Sequence, residues 1–147
     1  MASEQQGERT LRVELVTPEG PAFVDEARML IVPGADGELG VLPRHAPLVA
    51  QLDAGETRIH KTDQDWVAFA TGSGYFKVQH DTALVLVSSA ELAGEIDISA
   101  AERDRDEAQR RLEEAEAGEE QGPESAAARR ARRDLEDAEN RLRVAHR

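Results

Sequence analysis

The sequence predicts an α+β chain: an N-terminal all-β sandwich or barrel over residues 1–95, then an antiparallel α-helical hairpin over residues 96–147. Three observations carry this. Apolar residues over 11–88 fall in short runs of period two, separated by Gly, Pro and Asp turn signals. After residue 96 the composition changes abruptly, with no Phe, Trp or Tyr and glycine only at 118 and 122. Beyond that boundary the apolar residues recur in steps of three and four, the spacing of one helix face.

The strands follow in order. In "LRVELVTP", Leu11, Val13 and Leu15 alternate with Arg12 and Glu14. "AFVDEARMLIVP" is expected to put Ala27, Met29 and Ile31 on one face, with Pro33 ending the run because it cannot donate to a ladder. "ETRIHKT" alternates through Thr57, Ile59 and Lys61. "WVAFATGSGYFKVQ" reads as two short strands around Gly72-Ser73-Gly74. Trp66 and Phe69, three apart, must lie on opposite faces of a regular strand, so only one enters the core. "TALVLVSS" is apolar on both faces and is expected deep inside. Many short strands at close spacing are the pattern of a sandwich or barrel.

The first helix carries Ile98, Ala101, Ala108, Leu112 and Ala115, with Arg105 in the intervening slot. Ser99 and Glu102 have capping-box spacing. The break "AGEEQGPES" follows, and Pro123 suits the first turn of a second helix. That helix carries Ala128, Ala131, Leu135, Ala138, Leu142 and Ala145. The seam is mostly alanine. At roughly 25 cal/mol per Å2 of apolar area it stabilises far less than a leucine seam would. Same-helix pairs Asp106–Arg110, Glu107–Arg111, Asp137–Arg141 and Glu139–Arg143 are expected to add about 0.3–0.5 kcal/mol each. The helices are therefore locally favoured but weakly packed, which leaves two readings: a hairpin that can open and offer its seam elsewhere, and one that stays folded against the sandwich, which residue content slightly favours.

Composition narrows the function. A net charge of −12 repels phosphate backbones and anionic lipid, which argues against nucleic-acid or direct membrane-surface binding. The absence of cysteine removes disulfides, thiolate metal sites and a cysteine nucleophile. The opening "MASEQQGERT" is polar, unlike a signal peptide, and no run approaches the roughly 20 apolar residues of a membrane span. Of the histidines, His45, His60, His80 and His146, none stands three or four residues from another, so no helix-borne metal pair exists. His60 and His80 sit at strand ends and are expected to face solvent, and His146 suits a helix C-terminus.

The stretch "GADGELGVLPRHAPLVAQL", residues 34–52, is the one with shape. Asp36-Gly37 is a tight-turn dipeptide. Gly40 lets a strand bend, and Pro43 and Pro47 are expected to hold Arg44-His45-Ala46 extended. His45 could form an acid–base pair with Glu38 or Asp36, but no suitable Ser or Cys nucleophile accompanies it. "ADGELG" lacks the lysine of a phosphate-binding loop, and its two acids would repel phosphate. The structural reading is a stiff polar display of Glu38, Arg44 and His45, which loses little entropy when a partner docks.

"GELGVLPRHAPLVAQLDAGETRI", then "FATGSGYFKV", then a helical hairpin resembles the epsilon subunit of bacterial F-type ATP synthases. The resemblance implies a flattened sandwich of about eight to ten strands and a C-terminal helix–loop–helix. It implies a non-catalytic rotor subunit in the central stalk, at the cytoplasmic face of the membrane. Its partners would be the gamma subunit and the c-ring, with the alpha and beta subunits reached through a hairpin that impedes ATP hydrolysis. It assigns Asp36 and Glu38 to the c-ring contact, and Arg44, His45 and Pro47 to the gamma contact. Arg44 stands where glycine or asparagine is common in such proteins. Some relatives bind ATP on the hairpin through a motif that would start here at Ile96 and Asp97. Ala100 occupies its arginine position, so the phosphates lose a charged donor. No cofactor is implied. Two readings of other classes compete: a free-standing adaptor or co-chaperone with a sandwich scaffold and helical clamp, and a small hydrolase using Glu38 and His45.

Overall fold

A computed structural model of the chain describes residues 9–62, 65–118 and 123–146. The opening eight residues and most of the acidic connector, 119–122, lie outside the described residues. The chain forms two compact units that meet in sequence between Leu92 and Ala93.

The first unit is built from ten strands: β1 (Leu11–Thr17), β2 (Gly20–Ala27), β3 (Met29–Gly34), β4 (Gly37–Val41), β5 (Leu48–Leu52), β6 (Gly55–Thr62), β7 (Asp65–Thr71), β8 (Gly74–Gln79), β9 (Thr82–Val87) and β10 (Ala90–Leu92). They follow one hydrogen-bonded path, β10-β7-β6-β3-β5-β8-β9-β1-β2, with β4 added to β3. The junction of β3 with β5 rests on one residue pair, Gly34 with Leu52, the narrowest link in that path. Pairing is antiparallel except between β1 and β9.

The period-two pattern is what lets these strands bury one face. Leu11, Val13, Leu15, Val32, Leu52, Ile59, Phe76, Val78 and Val85 form a shared core. Phe69 enters it and meets Phe23 edge-on, with ring centroids 6.2 Å apart at 74°. Trp66 is on the other face, half exposed and stacked on His60 at 4.3 Å. His60 is thus half-covered rather than free in solvent. The buried hydroxyls of Thr57 and Thr71 satisfy each other at 2.9 Å, as burial of a polar group requires.

Four strand expectations change, the first at Pro33, which does not end the run: it lies inside β3 opposite Glu38, and its carbonyl still accepts the Asp53 N–H at 2.9 Å. Leu30 and Val32, not Met29 and Ile31, are fully buried. The parity switches at Arg28, which lies between β2 and β3 and whose N–H donates to the His60 carbonyl at 2.7 Å. β9 is buried on one face only, through Ala83, Val85 and Val87, while Leu86 is exposed. Finally, Gly72-Ser73-Gly74 does not close a hairpin. β7 pairs with β6 and β10, and β8 with β5 and β9, so this turn carries the chain to a different part of the sheet. A side chain at 74 would run into the Leu86 carbonyl, which accounts for glycine there.

The second unit holds a short 3-10 turn (Ala93–Glu95), then α1 (Ile98–Ala117) and α2 (Ala126–Ala145). The capping box is not used. The N-cap is Asp97, whose carboxylate accepts the Ala100 N–H at 3.0 Å. Its side chain satisfies one of the orphan backbone donors of the first turn, the task of an N-cap residue. Ser125 caps α2 through the Ala128 N–H, so Pro123 lies ahead of the helix rather than in its first turn. The seam buries Ala101, Ala108 and Ala115 on α1, and Ala128, Ala131, Ala138 and Leu142 on α2. Asn140 and Val144 are also buried, which apolar spacing alone did not indicate.

Arginines expected to pair along their own helix reach across it. Arg111 binds Asp134 at 3.0 Å, and Arg141 binds Asp104 at 3.1 Å. Arg132 lies 3.6 Å from Glu116. Close helix approach at alanine brings the long side chains of one helix within reach of the other.

Candidate functional site: two polar turns at opposite ends of one strand

β4 organises the residues singled out by sequence. At its start, β3 and β4 close a tight hairpin in which Gly34 pairs with Gly37. Gly37 takes φ +130°, a conformation that side-chain-bearing residues avoid, so the Asp36-Gly37 turn depends on it. Asp36 is exposed at the tip, and Glu38 follows on the strand, also exposed. The Glu38 carboxylate is not free. It accepts from Arg58 on β6, 3.2 Å away across the intervening β3. Arg58 also contacts Glu56 at 3.3 Å, and Glu56 is the most buried of the three. The charges therefore run from a covered acid, through an arginine, to an exposed acid.

At the other end of β4 lies the second turn. Pro43 and Pro47 do not hold it extended. The His45 N–H donates to the Leu42 carbonyl at 3.1 Å, closing a four-residue turn with Pro43 at its second position. Arg44, at the third, takes φ +69°. This is the left-handed region that favours glycine or asparagine, and a residue with a bulky side chain is strained there by about 1–3 kcal/mol. The turn is held from outside. The Arg44 N–H donates to the Asp81 carboxylate at 2.6 Å. Asp81 and His80 form the two-residue turn between β8 and β9, at φ +56° and +51°. The Asp81 carbonyl in turn accepts the Arg12 N–H at 2.8 Å. The His45 ring donates its Nδ1–H to the Ala46 carbonyl at 2.7 Å, which sets its orientation and tautomer. The Arg44 side chain and Pro47 are exposed.

Glu38 and His45 are not brought together. The part of β4 between them, Glu38 to Val41, alone spans about 10 Å, and each side chain has another partner. The acid–base pair that spacing allowed is therefore not assembled.

Ile96 and Asp97 lie in the second unit, ahead of α1. Ile96 is buried, and the Asp97 carboxylate is engaged as the helix cap. Asp137, on α2, has its pKa raised, first by burial and then by the neighbouring acids Asp134 and Glu136, against an opposing effect of Arg133.

Two residues of this arrangement were missed in the sequence. Arg58 sits in plain strand alternation, and nothing local marks its partner 20 residues away. Asp81 had a signal, since His80-Asp81 between two alternating runs reads as a two-residue hairpin turn. Its partner, 37 residues upstream, was not legible.

Residues 10–93 match the beta-sandwich domain of the ATP synthase delta/epsilon chain. The ATP synthase epsilon chain of Halalkalibacterium halodurans is 38% identical over 94% of this chain and 98% of its own. That of Exiguobacterium sp. is 36% identical over 92% and 95%. That of Pelotomaculum thermopropionicum is 41% identical over 71% and 78%. Among solved structures, a chain of the Euglena gracilis mitochondrial ATP synthase, in an assembly of OSCP, F1 and c-ring, has the same fold. Its TM-score is 0.74 at 19% identity, over 94% of this chain and 82% of that one. With the family domain covering most of the sandwich and relatives spanning the hairpin as well, this chain belongs to the ATP synthase epsilon-chain family.

Proposed function

We propose that the chain is a non-catalytic rotor subunit of the central stalk, peripheral at the cytoplasmic face of the cell membrane. In this reading residues 1–95 are the docking domain and residues 96–147 a regulatory hairpin. The Asp36–Glu38 turn engages the c-ring. The Arg44–His45–Pro47 turn engages the gamma subunit, and the hairpin reaches the alpha and beta subunits to restrain ATP hydrolysis. The observation that carries the proposal is the placement of two stiff polar turns at opposite ends of β4. Side chains that converge serve one reactant. Side chains that diverge along a rigid strand serve two partners at once, which coupling requires. Relatives fit this reading: one solved neighbour, from Tetrahymena thermophila, belongs to a central stalk and c-ring assembly, with TM-score 0.57. Among the described residues no helix is long and apolar enough to cross a membrane.

The hairpin is read as a poor nucleotide site. Asp97 is committed to capping, and Ala100 offers no cation to phosphate. The test is reconstitution of an ATP synthase depleted of this chain. Glu38→Lys is expected to lower affinity for the c-ring and leave gamma binding intact. His45→Ala is expected to do the reverse. If neither variant alters proton-driven ATP synthesis, the two-turn docking scheme is wrong.

A further inference from the structure

Among the described residues, three non-glycine residues take left-handed backbone conformations: Arg44 at φ +69°, His80 at +51° and Asp81 at +56°. All three belong to the two turns joined by the Arg44 N–H to Asp81 carboxylate bond. Strained residues persist where the surrounding structure over-determines them, and they gather at functional positions. Here the over-determination is visible. The Asp81 carboxylate holds the Arg44 amide at 2.6 Å, while the Asp81 carbonyl is tied to the Arg12 N–H of β1 at 2.8 Å. Asp81 thus fastens a turn at the end of β4 to the β8–β9 turn and to the start of β1.

We infer that Asp81 is a positioning residue for gamma docking. Its carboxylate holds the 42–47 turn in the conformation that presents Arg44, His45 and Pro47. The inference rests on the gamma-docking role proposed above for that turn. The bond is charge-assisted, and its acceptor comes from a two-residue hairpin turn with little freedom of its own. Without it, Arg44 would relax toward negative φ, and the His45 ring would turn with the chain. The partner would then have to order the turn on binding, which weakens affinity.

The test uses the full chain and an F1 particle stripped of it, with affinity for gamma measured by titration. Asp81→Gly removes the carboxylate but keeps a residue suited to the left-handed turn, so the sandwich should melt as before. It is expected to weaken binding about tenfold. Asp81→Asn keeps an acceptor oxygen and should lose less than about threefold. Hydrogen exchange at the Arg44 amide should accelerate at least about tenfold in Asp81→Gly, because its acceptor is gone. The decisive arm is Arg44→Gly, which adopts φ +69° without strain. In that background Asp81→Gly should cost less than it does alone, because no left-handed strain is left to restrain.

Wild-type affinity for Asp81→Gly would overturn the inference. So would an equal loss in the Arg44→Gly background, which would make Asp81 a direct contact instead. Failure of the underlying docking role is separately visible. If Arg44→Ala, His45→Ala and Pro47→Ala together leave gamma affinity unchanged while Asp81→Gly still speeds Arg44 exchange, the clasp exists but the turn does not dock.

Discussion

Arg58 and Glu38 meet at 3.2 Å across the whole width of β3, one reaching from β6 and the other from β4. The pair is partly solvent-exposed, and such pairs contribute only about 0.2–1 kcal/mol. Glu38→Lys should therefore lower the melting temperature of the free subunit little, while placing two like charges side by side on the proposed c-ring contact. Proton-driven ATP synthesis should fall. A large drop in melting temperature would make Glu38 structural, and unchanged synthesis would remove it from the contact.

Phe69 and Trp66 test the sandwich itself. Phe69 is 3% exposed and packs on Phe23, whereas Trp66 is 46% exposed and covers His60. Phe69→Ala should cost about 3–5 kcal/mol in denaturant unfolding. Trp66→Ala should cost about 1 kcal/mol or less, since it loses a stacked pair on the surface rather than core volume. Equal losses would contradict the assignment of their faces.

Asp97 should matter to the hairpin rather than to a nucleotide. Asp97→Ala removes the cap on the Ala100 N–H and should destabilise the helical unit by about 0.5–2 kcal/mol. Millimolar ATP-Mg should shift the melting temperature of the wild-type chain little. A clear upward shift that Asp97→Ala abolishes would show that Asp97 binds nucleotide.

Asp137 carries a pH dependence whose sign can be worked out. Its folded pKa lies above the ordinary value of 3.8, raised by burial and by Asp134 and Glu136. The folded chain thus holds that proton more tightly than the unfolded chain, and the ionised form is destabilising. The penalty is present at neutral pH and fades as pH falls through the raised value. Asp137→Asn should therefore raise the melting temperature of the hairpin at neutral pH, with the gain shrinking on acidification. A gain that grows at low pH would contradict this environment.

The seam alanines now permit a signed prediction. Arg111–Asp134 and Arg141–Asp104 bracket Ala108 and Ala138, which places the two alanines at the same level, both buried. Ala108→Leu with Ala138→Leu would add bulk from both sides into one close contact, and such overpacking costs about 1–3 kcal/mol. The closed hairpin should lose helix content at a lower temperature. In the assembled enzyme the open form should gain, so ATP hydrolysis should fall. Unchanged hydrolysis despite an altered melt would mean that the hairpin is not a regulator here.

Periodicity was enough to separate a strand region from a helical one, and to put Leu11, Val13 and Leu15 inside, because side-chain direction follows from backbone repeat alone. The Asp36-Gly37 turn was legible from its dipeptide, and periodicity again found the two alanine seams. It failed where parity breaks, at Arg28. It failed too where two equivalent caps competed, at Asp97 and Ser99, since the choice depends on how the chain enters the helix. The partners of the site residues were decided only by the fold. Glu38 finds Arg58, Arg44 finds Asp81, and Arg111 finds Asp134 because strands and helices distant in sequence become neighbours. Local sequence sets which way a side chain points. What it meets depends on long-range pairing register, which no single segment encodes.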